Sequence, residues 1–134
     1  MKERTILLPK WIKLFSWLFL IFLASPIILI IGHFLGSMSY SIYGIKFHGS
    51  VFHPYSLINM LFLTFHGISA YGLLWGKKWA IDAGIVCGAL GIISGIYAMI
   101  FSFKHGNLHI EFSIVLLFIF VNSLVNIREK WREM

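Results

Sequence analysis

Four apolar runs separated by short clusters of charge constrain this chain more than any other feature. A helix needs about 20 apolar residues to cross the hydrocarbon core of a bilayer. Runs of that length lie near residues 14–35, 56–75, 79–103 and 108–127. Of the 134 residues, 59% are hydrophobic and 12% are charged. A soluble domain carries about 25% charged residues, roughly twice as many. This much apolar surface cannot be hidden in a water-soluble core, so lipid must cover it. The composition also excludes disorder, which needs low hydrophobicity and high charge.

The net charge of +6 does not point to nucleic acid, because the charges flank the apolar runs. With the N-terminus in the cytoplasm, that side holds Lys2, Arg4, Lys10, Lys13, Lys77, Lys78, Arg128, Lys130 and Arg132. The outer side then holds only Lys46 and Lys104. Such a bias follows the positive-inside rule. Trp11, Trp17, Trp75, Trp79 and Trp131 fall near the same interface, where an indole keeps its ring in lipid and its N–H near water. The first run is too long for a signal peptide, whose apolar core is about 7–15 residues. It reads as a retained helix kinked at Pro26.

The expected fold is therefore all-α, an integral membrane four-helix transmembrane bundle. It is one domain over residues 1–134, with up-down topology and both termini inside. Trp75-Gly76-Lys77-Lys78-Trp79 makes a tight turn between the second and third helices, and Gly106 and Asn107 turn the chain between the third and fourth. Residues 36–55 form the one sizeable outer loop, in which a loose alternation is compatible with a short β-hairpin or with an interfacial segment. Location in the plasma (inner) membrane follows as an expectation.

The third helix carries the clearest pattern. Ala80, Gly84, Gly88, Gly91, Gly95, Ala98 and Ser102 follow one another at intervals of three or four, so they share one stripe. Small residues let a neighbouring backbone approach closely, which drives helix association in lipid. Gly84, Gly88, Gly91 and Gly95 are thus the expected packing residues. Their partner is a helix of the same chain, or else a second copy or another membrane protein.

Polar residues inside a membrane are functional candidates. Asn59 and His66 lie seven apart on one face of the second helix, and Asn122 lies on the fourth. They form a possible intramembrane polar site. His66 can tie helices by a hydrogen bond, relay a proton, or ligate haem or a metal. Asp82 is expected to pair with Lys78 one turn earlier. A single cysteine, Cys87, excludes an internal disulfide and reads as a buried structural residue. On the outer side, His48, His53, His105, His109 and Glu111 offer nitrogen and carboxylate donors for a divalent metal, without matching a recognised ligand spacing.

The stretch 71–80, with Gly and Lys between two aromatic anchors, resembles the turns of small bacterial four-helix membrane proteins. The resemblance implies the same bundle and no particular chemistry. Small multidrug exporters place a buried Glu in helix 1, and this helix has none. Claudin-like proteins carry a Trp and a Cys pair in the first outer loop, and quinone-linked thiol enzymes need a Cys pair; both are missing. The expected function is that of a non-enzymatic membrane protein, an accessory subunit or self-associating bundle without a cofactor. The alternatives are a haem-, metal- or quinone-binding subunit using His66 or the outer histidines, and a small transporter or channel through Asn59, His66 and Asn122. The partners expected are the lipid bilayer and another helix, not nucleic acid.

Overall fold

The computed structural model describes residues 2–35, 39–42, 45–48, 52–104 and 112–134. Its elements in chain order are α1 (Lys2–Ile6), α2 (Lys10–Leu20), a 3₁₀ turn (Ile21–Ala24), α3 (Ser25–Leu35), β1 (Ser39–Ile42), β2 (Ile45–His48), α4 (Pro54–Leu74), α5 (Ala80–Lys104) and α6 (Ser113–Glu133). Among the described residues, three helical segments are long and apolar enough to cross a membrane: Lys10–Gly32, Ser56–Leu74 and Ala80–Lys104.

The first span starts at Lys10 rather than at residue 14. Pro9 sets that start. A proline disfavours helix at the residue before it, which separates α1 from α2. Its own carbonyl then accepts the N–H of Lys13 at 3.2 Å, opening the α2 ladder. The expected break at Pro26 is spread over the 3₁₀ turn just ahead of it. Proline has no N–H to give the carbonyl four residues back, that of Phe22. The Ser25 hydroxyl donates to this carbonyl instead, at 2.6 Å. A neighbouring serine is a common way to satisfy a carbonyl freed inside a membrane.

α4 ends in a turn that its sequence dictates. Gly76 adopts φ 64°, the left-handed conformation that favours glycine. The Gly76 N–H reaches the Leu73 carbonyl at 3.2 Å, and the Lys77 N–H reaches that of Gly72 at 2.9 Å. These two bonds make a Schellman motif, which satisfies the last carbonyls of α4 and reverses the chain into α5.

The fourth apolar run, expected over 108–127, is helical from Ser113 to Glu133. Residues 105–111, including Gly106 and Asn107, lie outside the described ones. α6 is not among the three segments above, because it ends in the charged stretch Arg128-Glu129-Lys130-Trp131-Arg132-Glu133. That stretch continues the helix because Glu, Lys and Arg are good helix formers. Between α3 and α4, β1 pairs antiparallel with β2, Ser39 opposite His48 and Ile42 opposite Ile45.

The main apolar core lies toward the end of the molecule that holds both termini and the α4–α5 turn. It contains Leu8, Ile12, Phe19, Ala70, Leu73, Ala80, Ile81, Leu117, Phe120, Leu124 and Trp131. Phe19 stands at its middle, with ring centroids 5.8 Å from Phe120 and 5.7 Å from His66. A second cluster joins Leu29 of α3 to Met60 of α4.

Candidate functional site

The glycine stripe of α5 faces α6. A Cβ at Gly84 would stand 2.7 Å from Leu124 Cδ1, and one at Gly95 would stand 2.7 Å from Ile114 Cγ1. At Gly88 it would overlap the Val121 side chain. Partner numbers fall as glycine numbers rise, so the two helices run antiparallel. Ala80, Gly91 and Ala98 of the same stripe are also buried. This face is occupied within the chain.

A second close approach, between α4 and the 3₁₀ turn, has no such stripe to announce it. A Cβ at Gly67 would come within 2.8 Å of the Leu23 backbone nitrogen. The α2–3₁₀ segment thus rests directly on the backbone of α4 at that point.

The polar groups expected inside the membrane do not form one site. His66 is 1% exposed and sits among aromatic rings, with Phe62 4.4 Å away and Phe19 edge-on. Its Nδ1 lies 2.9 Å from the Phe62 carbonyl of its own helix. The ring also engages the backbone of Cys87 on α5. Ser69, one turn further along α4, bonds the Cys87 side chain. His66, Ser69 and Cys87 therefore make a short polar seam between α4 and α5. Asn59 is half-buried, two turns away. Asn122 does not join them. It is exposed on α6, between the buried Phe120 and Leu124, because the helical period turns it to the opposite side. Asn126 is exposed on α6 as well.

Of the residues expected as metal donors, His53 is exposed and His48 is placed by its backbone in β2. His105, His109 and Glu111 lie outside the described residues. Among the described residues, no three His, Cys, Asp or Glu side chains come together as a metal site.

The richest polar geometry is at the end with the termini. Arg4 donates from Nε to the Trp131 carbonyl and from Nη1 to the Gly76 carbonyl, each at 3.1 Å. One guanidinium thus ties the N-terminal segment to the last turn of α6 and to the α4–α5 turn. Its fork of donors suits two carbonyls at once. Trp131 donates its indole N–H to the Lys77 carbonyl at 3.0 Å. Trp131 is fully buried, so it is a core residue and not part of an interfacial belt. Asp82 reaches across to α6 rather than back to Lys78. Its carboxylate accepts from Arg128 at 2.7 Å and from Arg132 at 2.8 and 2.9 Å. An acid in the first turn of one helix thus meets bases in the last turns of its antiparallel neighbour, which suits both helix dipoles.

A cleft of about 280 Å³ opens at this same end. Thr5, Leu8, Lys13, Trp17, Leu74 and Trp75 line it. Trp17 and Trp75 stand 6.5 Å apart, tilted by 55°, and Tyr71 stacks on Trp75 at 4.4 Å. Reading the sequence missed the cleft, since its lining comes from three separated segments. The only signal was the recurrence of Lys and Trp near each. No protein-family model matches the sequence, and comparison with curated proteins and with solved structures finds no match.

Proposed function

We propose that the chain is a non-enzymatic plasma (inner) membrane protein that acts by helix packing, as an accessory subunit of a membrane complex or as a self-associating bundle. In this reading α6 crosses as the fourth helix, the topology is up-down, and both termini are cytoplasmic. The observation that carries it is the unequal burial of the spans. Only 11% of the apolar window of Lys10–Gly32 is buried, against 39% for Ser56–Leu74 and 33% for Ala80–Lys104. On α3, Ile27, Ile28, Ile31 and Phe34 are all more than half exposed. A helix with so little intrachain packing leaves its surface to lipid or to another helix. The association face thus moves from the glycine stripe, which α6 fills, to the first span.

The His66 seam supports a packing role over a ligand-binding one. A histidine whose ring is engaged by the backbones of Phe62 and Cys87 ties α4 to α5 and is held in place by its own chain. Native mass spectrometry of gently extracted protein tests the reading. Oligomers or a complex with another membrane protein are expected. A lone monomer with a bound cofactor mass would overturn it. Ile31→Cys adds a probe: cross-linking through that residue is expected, with a low background because the native Cys87 is buried.

A further inference from the structure

The cleft under the N-terminal segment has the chemistry of a lipid seat. It lies where the first span begins, at Lys10, and where α4 ends, at Leu74. That is the level at which indoles and lysines gather on membrane proteins. Its walls divide by polarity. Leu8, Leu74, Trp17 and Trp75 offer an apolar and aromatic side, and the Thr5 hydroxyl and the Lys13 ammonium offer the polar side. Lys13 and Trp17 are one turn apart on α2, so the two side chains share one helix face. Below Trp17 the same flank continues with exposed Leu18 and Ile21.

We propose that this cleft binds one anionic phospholipid. The phosphate sits at Lys13 beside Thr5, and the glycerol lies against Trp17 and Trp75. The acyl chains run down α2 over Leu18 and Ile21. Charge complementarity selects this occupant. This end of the chain concentrates Arg4, Lys10, Lys13, Lys77, Lys78, Arg128, Lys130 and Arg132 against the acids Glu3, Asp82, Glu129 and Glu133, and Asp82 is already engaged by two of the arginines. Cationic residues at a membrane surface attract anionic lipid headgroups. A volume of about 280 Å³ is near the lower bound of small-molecule pockets, about 300 Å³. It suits a headgroup whose chains remain in the bilayer. Thr5 and Leu8 belong to the segment that Arg4 ties down. Arg4 is therefore a positioning residue for the seat.

The test is native mass spectrometry of the full chain in mixed micelles. Phosphatidylglycerol and phosphatidylcholine with identical acyl chains are titrated in parallel. One phosphatidylglycerol per chain should be retained, with a preference of roughly tenfold, the scale of one charge-assisted hydrogen bond. Lys13→Gln should abolish the preference and Lys13→Arg should keep it. Arg4→Gln should weaken it. Lys10→Gln, an exposed charge outside the lining, should leave it unchanged. Equal retention of the two lipids by the wild-type chain would overturn the proposal without any variant needing to fold. Equal losses from Lys10→Gln and Lys13→Gln would also overturn it, because they would indicate diffuse attraction without a seat.

Discussion

Trp131 joins core packing to hydrogen bonding at the end of the molecule that holds both termini. Among the described residues it is the largest fully buried side chain, its indole N–H donates to the Lys77 carbonyl, and its own carbonyl accepts from Arg4. Trp131→Phe keeps most of the volume and removes the donor, leaving the Lys77 carbonyl with the Ala80 N–H as its remaining partner. A loss of about 0.5–1.5 kcal/mol, the net value of one hydrogen bond, is expected, read as a lower midpoint in denaturant titration of the detergent-solubilised protein. Trp131→Ala adds a cavity and should cost about 3–5 kcal/mol. Ser16 is the opposite case. It is fully buried, and its hydroxyl is the one buried side-chain polar atom without a partner among the described residues. Burying an unpaired hydroxyl costs about 1–3 kcal/mol. Ser16→Ala should therefore hold or raise the thermal midpoint, and a clear drop would show that Ser16 has a partner after all. Neither residue's role was legible beforehand. Trp131 sits in a charged tail that looks solvent-facing, and Ser16 is an unremarked polar residue in an apolar run.

At the scale of elements, the helix pair α5–α6 depends on the absence of side chains. Gly84, Gly88 and Gly95 leave room for Leu124, Val121 and Ile114. Their stripe was readable because a spacing of three and four survives any detail of packing. Which helix it would meet was not readable, since the same stripe serves an intrachain or an interchain contact equally well. Gly88→Leu should force α6 away from α5, costing about 1–3 kcal/mol or more by overpacking. Ile93→Leu, at an exposed position of α5, should cost far less. Thermal midpoints of the two variants against wild type provide the check. The first span shows what element boundaries depend on. Pro9 and Pro26 are plain in the sequence, but the spreading of the break into a 3₁₀ turn rests on Ser25 reaching the Phe22 carbonyl.

At the scale of the whole molecule, both termini and the α4–α5 turn meet through Arg4, Gly76, Lys77 and Trp131. The proposed four-helix reading requires an even number of crossings, with both ends on one side. Substituted-cysteine labelling in sealed vesicles tests this. Thr5→Cys and Met134→Cys should label from one side of the membrane and Phe52→Cys from the other, with the termini inside by the charge bias. Labelling of Met134→Cys from the same side as Phe52→Cys would remove α6 as a crossing helix.

The sequence alone determined the solvent and the element type. Long apolar runs demand lipid, and lipid demands backbone hydrogen bonds closed within each segment, so helices follow from hydropathy without any knowledge of contacts. The turn at Gly76 follows in the same way, from local chemistry. What only the tertiary structure decided is which groups meet across the chain. Arg4 finds two carbonyls more than seventy positions away, Asp82 finds two arginines of α6 rather than the lysine beside it, and Asn122 faces away from His66. Hydropathy has no term for these choices. They depend on the rotation and register of each helix, and those are set by where side chains and glycines interlock.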